Sequence, residues 1–256
     1  MMKIFFGRVA LILGLLGFWQ FASGRFADPF FVSNPIEVGE RFWILLKTGR
    51  LFDHGWITLV ETLGGFALGA AAGITVGLIL GRNETLAKLL DPILVSLYSL
   101  PKVALAPLFI MWFGIGIEMK IMLTAAIVFF LVFLNTYSGV RSVSGELIEI
   151  LRLMGAKERH LVAKVIMPSA IQWVFTGLKL SVPYALIGAI VGEIMASNRG
   201  LGYLLQDAAG QLDTGGVFAA LIAIVFLALC LQTAVKFAEK KLMPWKTVAN
   251  DRELTI

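Results

Sequence analysis

Charged side chains are scarce in this sequence. The 256 residues include 22 lysines and arginines and 17 aspartates and glutamates, so 15% of the chain is charged while 58% is hydrophobic. The mean hydropathy is +0.85. A soluble domain of this length needs more polar surface, so the composition predicts a polytopic membrane protein. In such a protein the net charge of +5 is typical of cytoplasmic loops and not of nucleic-acid binding.

Residues that could carry catalysis, metal binding or cross-linking are also few. The single cysteine, Cys230, excludes an intrachain disulfide, and His54 and His160 are too far apart for metal-ligand spacing. Nothing places a nucleophile beside a base. The sequence contains no Gly-Lys pair, which excludes the phosphate-binding loop G-x-x-x-x-G-K-[ST]. We therefore expect no catalytic residue, no metal and no cofactor in this chain.

Long apolar runs make up most of the chain. Roughly 20 apolar residues cross one bilayer, and the backbone of an open strand cannot be satisfied in lipid, so each run is a predicted helix. The expected fold class is an all-α membrane protein of about six transmembrane helices, forming one domain over residues 1–256. The runs are Phe5–Phe21, Trp56–Leu80, Leu89–Phe113 (interrupted by Pro101 and Pro107), Ile121–Val140, Ile171–Met195 and Val217–Val235.

The first run has two interpretations. A charged start and the small residues Ala22–Gly24 fit a cleaved signal peptide, although a retained span is preferred. The orientation of the later spans is the same in both cases. With the N-terminus inside, 14 lysines and arginines lie in inner segments and five in outer ones. This asymmetry predicts that both termini are cytoplasmic.

One outer segment has its own periodicity. Residues Pro35–His54 place Val38, Phe42, Leu45 and Leu46 at helical spacing. The pattern predicts an amphipathic helix that lies on the membrane surface.

Glycine recurs at every fourth position of the second run. Four residues turn an ideal helix by about 400°, so the glycines stay on one slowly drifting face. Glycine allows another backbone to approach closely, and the stripe therefore predicts a packing seam rather than a substrate contact. Whether the partner helix belongs to the same chain or to a second copy is left open. The glycines are Gly65, Gly69, Gly73, Gly77 and Gly81.

The only sizeable cytoplasmic stretch, Arg141–Ser169, has the pattern of a helix-turn-helix. Its first half places four apolar side chains on one helical face: Leu147, Ile148, Leu151 and Met154. Gly155 allows the left-handed turn that ends a helix. A second short amphipathic pattern follows, and Pro168 is predicted to break it where the chain enters the membrane. On periodicity alone, such a segment could equally rest on the lipid surface.

This stretch resembles the conserved loop of binding-protein-dependent ABC importer permeases: E-A-A, three residues, G, nine residues, I-x-L-P. Glu149-Ile150-Leu151 correspond to E-A-A, Gly155 to the glycine, and residues 165–168, ending in Pro168, to I-x-L-P. The spacing matches throughout, with other apolar residues in place of the alanines and of the I/L pair. The stretches 91–121 and 191–205 resemble the nitrate, sulfonate and taurine branch of these permeases. Together the similar stretches cover most of residues 56–240.

The resemblance implies that the loop is a coupling helix that docks in a groove of a separate ATP-binding subunit at the cytoplasmic face. Its signature positions would be Glu149, Gly155, Ala156 and Pro168. It also implies an extracytoplasmic substrate-binding protein, a second permease copy and a bacterial-type inner membrane. A homodimer is expected, with a heterodimer left open. The implied substrate is a small anion such as nitrate, a sulfonate or taurine, and no nucleic-acid partner is expected.

Four ionisable residues lie near or inside the runs: Glu61, Lys102, Lys179 and Glu193. Such groups are costly at membrane depth and usually face a cavity or a partner. Lys102 follows Pro101 in the interrupted run, where a broken helix can line a water-filled path, so both are candidates for the substrate path. Alternatively, Lys102 snorkels or pairs with a carboxylate. Glu193 is expected to stabilise the outer end of the fifth run, and Glu61 and Lys179 to sit near span ends.

An ion-gradient-driven secondary transporter is the alternative function. That class predicts internal repeats and acidic residues at mid-membrane. The two halves of this sequence show no convincing repeat, and acidic residues inside the runs are sparse. The permease subunit of an ATP-driven importer is therefore the favoured hypothesis.

Overall fold

The computed structural model of the chain describes residues 2–243; Met1 and residues 244–256 are not described. Two of the 14 lysines and arginines assigned to inner segments, Lys246 and Arg252, lie outside this range. The described residues form an all-α fold. The α-helices are α1 (Met2–Ala22), α2 (Pro29–Val32), α3 (Pro35–Lys47), α4 (Arg50–Arg82), α5 (Glu84–Ser99), α6 (Ala106–Phe113), α7 (Ile117–Arg141), α8 (Gly145–Leu153), α9 (Glu158–Leu161), α10 (Met167–Ala196), α11 (Leu201–Gly210) and α12 (Thr214–Leu242).

Five helices in the described range are long and apolar enough to cross a membrane. They are Ile4–Ala22, Arg50–Arg82, Ile117–Arg141, Arg159–Ala196 and Thr214–Leu242. The third apolar run is not one helix, because α5 and the helical segment Lys102–Phe113 meet at an angle of 83°. Leu100, the residue before Pro101, is extended, as the proline ring requires, and this ends α5. Counting the bent pair as one span gives six, in agreement with the sequence-based expectation.

The glycine stripe of α4 packs along α7 of the same chain. Each glycine faces the residue 59 positions later: Gly65 and Thr124, Gly69 and Val128, Gly73 and Val132, Gly77 and Thr136, Gly81 and Val140. A methyl group built on Gly69 would lie 2.5 Å from the carbonyl oxygen of Ala125, and one on Gly73 would lie 2.8 Å from that of Phe129. The two backbones are therefore so close that no side chain fits between them.

The constant offset of the seam sets the direction of the two helices. The residue numbers of the facing residues increase in the same direction along the two helices, so α4 and α7 run parallel. The chain that leaves α4 at Arg82 must return to the opposite membrane face before α7 starts at Ile117. The bent pair, Glu84–Phe113, is the segment available for that return, so it crosses the bilayer despite its break.

The prediction that Pro168 breaks the second loop helix is wrong. The helix continues from Arg159 to Ala196 through a π turn at Val162–Ile166. The amide of Met167 bonds to the carbonyl of Val162, five residues back. The wider π turn accommodates the proline that follows, which lacks an N–H and would clash with a regular turn.

The predicted surface helix is α3, but its apolar side packs on protein. Asn34 caps it through a 2.9 Å bond from the Glu37 amide. Val38 is buried, and Phe42 packs against a cluster in α11 and α12 that includes Leu201 and Ala223. Membrane-surface and protein-packed helices share one amphipathic pattern, so the sequence did not separate them.

The described residues pack into two units. The first consists of residues up to Val60 together with Ile190–Leu227, with its core between α3, α11 and α12. The second consists of Glu61–Ala189 and the part of α12 after Leu227, with a core that includes Ala70, Val128 and Ala185. A single domain over residues 1–256 stays a prediction.

Candidate functional site

The loop helix pair (residues 144–166) joins α7 to α10 and holds its shape through local hydrogen bonds. Ser144 caps α8 by accepting a bond from the Leu147 amide at 3.4 Å. Gly155 takes a φ of +82°, which L side chains rarely adopt. The amides of Gly155 and Ala156 then donate to the carbonyls of Arg152 (2.9 Å) and Leu151 (3.0 Å). This closure ends α8 and reverses the chain.

The apolar face that α8 leaves open differs from the predicted one. Ile148 and Leu151 are half-buried, whereas Leu153 is 88% exposed and Met154 is 78% exposed. The exposed apolar residues are Leu147, Ile150, Leu153 and Met154. The periodicity located the helix and its turn correctly but mixed the inward and outward sides of one broad apolar stripe.

The second half of the loop helix pair is fixed by burial. Leu161 is 1% exposed, and Ile166 packs with Val140 and Ala170 at the base of α7 and α10. Of the signature positions, Glu149 and Pro168 are exposed, and Ala156 is half-buried beside Gly155. The pair thus has one end held by the membrane helices and an open apolar face at the other.

A buried ion pair continues the glycine seam. Glu61 lies four residues before Gly65, and Lys120 lies four residues before Thr124, so the pair repeats the 59-residue offset. The Lys120 ammonium donates to the Glu61 carboxylate at 2.9 Å, and side-chain exposures are 7% and 1%. Glu61 therefore has a buried partner in addition to its position near the start of the apolar run, and Lys120 was not singled out from the sequence. The glycines recur every four residues from Gly65, and the same spacing continued one step back leads to Glu61. That spacing could have placed Glu61 on the seam from the sequence.

The other ionisable residues have different surroundings. Lys179 pairs with Glu239 of α12 at 3.0 Å. Lys102 donates to the carbonyl of Tyr98, and its ammonium lies 4.6 Å from the ring centres of both Tyr98 and Phe130. No carboxylate among the side chains that the structure describes forms an ion pair with Lys102. Pro101 is the residue at which the bent span turns.

The capped segment (residues 197–210) lies between α10 and α12 and contains α11. The amides at the start of α11 are satisfied by side chains of other helices. The Gly200 amide donates to Nδ1 of His54 (3.0 Å), and the Leu201 amide to the hydroxyl of Thr58 (2.8 Å). The Gly202 amide donates to the Glu193 carboxylate at 2.6 Å. Thr58 also donates to Glu193 at 2.6 Å. Glu193 is thus a buried cap of α11.

The expectation that Glu193 stabilises the outer end of the fifth run stays a prediction, and its observed contacts join α10 to Thr58 of α4 and to the start of α11. His54 and Thr58 were not singled out from the sequence. Their spacing of four along α4 places both on one face of that helix. A lone histidine and threonine in an apolar run carry no signal of their own, so only the fold reveals them.

Five to six apolar spans, a glycine-lined helix pair and an exposed apolar loop helix define a multi-pass membrane protein with a face open to a partner. Residues 73–244 match the family described as the binding-protein-dependent transport system inner membrane component. The chain belongs to this family, and it is therefore a permease subunit of an ABC importer, a transport component of the membrane. The resemblance found in the sequence is confirmed.

The relatives are permeases of several small solutes. The chain is 35% identical to the formylaminopyrimidine transport permease protein ThiX of Halalkalibacterium halodurans, over 91% of this chain and 93% of the relative. It is 34% identical to the putative aliphatic sulfonates transport permease protein SsuC of Bacillus subtilis, over 91% of this chain and 84% of the relative. A chain of the methionine ABC transporter MetNI in an inward-facing conformation superposes with a TM-score of 0.65 at 20% identity, covering 78% of this chain and 96% of that one. This last likeness shows the fold.

Proposed function

We propose that this permease subunit is driven by separate ATP-binding subunits that dock on the loop helix pair. The observation that carries the proposal is the exposed apolar face formed by Leu147, Ile150, Leu153 and Met154. A helix that lays an apolar face into a groove is a recurrent mode of protein recognition. Gly155 and Ala156 close the turn behind this face, and Leu161 and Ile166 fasten the pair to the membrane helices.

The loop geometry suits the transmission of force. The π turn leads without a break into α10, a helix of the membrane bundle. A push on the second half of the loop helix pair therefore reaches the membrane along one helix, and α8 is joined to that helix by the hydrogen-bonded turn at Gly155. Glu149 and Pro168, exposed beside this path, are the further contacts we expect on the ATP-binding subunit.

The test replaces one exposed apolar side chain at a time. Leu153→Gln and Met154→Gln should weaken co-purification with the cognate ATP-binding subunit by at least fivefold and reduce ATP-driven uptake in vesicles to a similar extent. Ile115→Gln, a change at an equally exposed position outside the loop helix pair, is the matched control. Full assembly of both loop variants would contradict the docking face, whatever the transported solute is.

We further propose that both termini are cytoplasmic, in a bacterial-type inner membrane. Six crossings return the chain to its starting side, and the excess of lysine and arginine assigns that side to the cytoplasm. A substrate-binding protein then delivers the solute to the opposite face, and a second copy of the chain completes the pore.

The substrate that we propose is a small organic anion such as a sulfonate. The relationship to a putative sulfonate permease supports this, as does Lys102, a cation without a carboxylate partner in the described residues at the break of a membrane span. A broken helix is tolerated at membrane depth where it is buried in protein or lines a water-filled path. The ring faces of Tyr98 and Phe130 attract the ammonium while leaving it free to meet an anion.

Lys102→Ala should raise the KM for sulfonate uptake about tenfold while leaving assembly with the ATP-binding subunit intact. Lys88→Ala is the control, because Lys88 forms an exposed pair with Glu84. Unchanged sulfonate uptake in Lys102→Ala would remove Lys102 from the path. Uptake of a pyrimidine and not of a sulfonate by the unmodified importer would refute the anion and leave the permease role untouched.

A further inference from the structure

Two cavities of opposite character lie side by side at the start of α4. The first, about 910 Å³, is open and polar, and its lining includes Arg50, Asp53, His54 and Arg199. The second, about 260 Å³, is lined almost wholly by apolar groups that include Leu51, Gly55, Leu59 and Phe226. The side chains of Phe52 and Trp56 line both. We call them the polar cavity and the apolar cavity.

The polar cavity offers positive charge that is only weakly paired within the described residues. Among the described residues, no carboxylate pairs with the Arg199 guanidinium, and the only ion pair of Arg50 is a 4.0 Å contact with Asp207. The carboxylate in the lining is Asp53, which is exposed. Two guanidinium groups beside one carboxylate suit a phosphate group that carries a hydrogen-bond donor next to it.

The two cavities follow the helix axis from its end inward. A helix rises 1.5 Å per residue, so Leu59 lies about 14 Å deeper than Arg50. The cations are at the helix end, where the membrane surface is expected, and the apolar walls are at the depth of acyl chains. The exposed aromatic rings of Phe52 and Trp56 stand between them, as such rings do at membrane interfaces.

We propose that the paired cavities bind one anionic phospholipid, with its phosphate at Arg50 and Arg199 and an acyl chain in the apolar cavity. Phosphatidylglycerol suits both the arginines and the carboxylate of the polar cavity, since its phosphate is anionic and its hydroxyl groups can donate to Asp53. Choline headgroups have no such donor. A free phosphate or organic oxyanion would satisfy the polar cavity and leave the apolar one empty.

The site sits against the capped segment. His54 lines the polar cavity and also accepts the bond from the Gly200 amide. Leu201, which lines the apolar cavity, donates its amide to Thr58. A bound lipid therefore touches the residues that hold α11 in place, and it would stabilise that segment.

The experiment uses the full chain in a neutral detergent and native mass spectrometry. Titrants are phosphatidylglycerol, phosphatidylcholine with the same acyl chains, and glycerol 1-phosphate. We expect phosphatidylglycerol to bind at least fivefold more tightly than phosphatidylcholine and than glycerol 1-phosphate. Equal binding of the two lipids would overturn the proposal. Binding of glycerol 1-phosphate as tight as that of the lipid would assign the site to free oxyanions and also overturn it.

Substitutions test the contribution of each cavity to lipid binding separately. Each arginine near an anionic headgroup is worth about fivefold in affinity, so Arg199→Gln and Arg50→Gln should each weaken phosphatidylglycerol binding by about that factor. Arg25→Gln is the control, because Arg25 stacks on Phe21 outside both cavities. Equal affinities in Arg199→Gln, Arg50→Gln and Arg25→Gln would overturn the headgroup site.

The apolar cavity can be filled without strain. A Cβ added at Gly55 meets no atom within 4 Å, so Gly55→Leu should fold and occupy the space of the acyl chain. We expect at least a fivefold loss of lipid binding in Gly55→Leu and none in Gly39→Leu, where a Cβ is equally unobstructed. Unchanged lipid binding in Gly55→Leu would overturn the acyl-chain site.

Discussion

The two segments that connect membrane helices on either side of α10 are built in opposite ways. The capped segment ties three successive amides at the start of α11 to His54, Thr58 and Glu193, side chains of other helices. The loop helix pair caps itself through Ser144 and Gly155 and leaves four apolar residues of its first half exposed: Leu147, Ile150, Leu153 and Met154. Both contain a glycine with positive φ, so the turn geometry alone does not distinguish them.

The difference indicates what each segment contributes. Buried hydrogen bonds to a carboxylate are strong, and their loss leaves donors unsatisfied, so the capped segment is part of the rigid fold. An exposed apolar face stabilises nothing in the isolated chain, and we propose that the loop helix pair forms half of an interface. Substitutions in the first should lower stability, and substitutions in the second should lower activity.

The largest expected loss of stability is that of Glu193→Ala. This change leaves the Gly202 amide without its buried acceptor and the Thr58 hydroxyl with only the 3.2 Å bond to the His54 carbonyl, at a cost of about 3 kcal/mol. The thermal unfolding midpoint of the purified chain in detergent should fall by about 10 °C. Glu84→Gln, at an exposed i,i+4 pair with Lys88, should leave the midpoint almost unchanged. Equal midpoints for Glu193→Ala and Glu84→Gln would remove the distinction between the segments.

Gly202→Ala should lower stability by a smaller amount. The added methyl group would lie 2.7 Å from the carbonyl oxygen of Ile190, so α11 must shift, at a cost of about 2 kcal/mol. Gly210→Ala in the same helix meets no atom within 4 Å and serves as the control. If Gly202→Ala and Gly210→Ala have the same thermal unfolding midpoint, α11 is not held as tightly as its hydrogen bonds indicate.

Gly155→Ala probes the loop helix pair with the same chemical change. Nothing lies within 4 Å of the added methyl group, so only the strain of a φ of +82° remains, about 1 kcal/mol. Gly145→Ala, at an unobstructed position at the start of α8 without positive φ, should be neutral or slightly stabilising. Circular dichroism melts of the two variants provide the comparison. A loss in Gly155→Ala as large as in Gly202→Ala would point to packing around Gly155 that the structure lacks.

The smallest expected effect on stability is that of Leu153→Gln, the substitution that also tests docking. Because Leu153 is 88% exposed, the free energy of unfolding should change by less than about 0.5 kcal/mol. Reduced stability of the isolated chain would mean that this side chain serves the fold and would weaken the case for an interface.

Local patterns predicted much of this architecture. Hydropathy located the apolar spans, and Pro101 marked the interruption of the third, but no local rule predicts an angle of 83°. The spacing of four predicted the seam at Gly65–Gly81 but not its partner, because any helix can supply the facing surface. The rule that proline breaks a helix misjudged Pro168, because the π turn at Val162–Ile166 accommodates the proline and no local pattern predicted that turn.

What the sequence by itself determined is the class of the protein: apolar runs require helices in lipid, and the spacing from Glu149 to Pro168 carries the family resemblance. The tertiary structure decided which polar groups meet. Glu61 and Lys120 are 59 residues apart, and Thr58 and Glu193 are 135 residues apart. Contacts at such separations depend on which helices pack together and in which register. Helix packing places Arg50 and Arg199 beside the same cavity for the same reason.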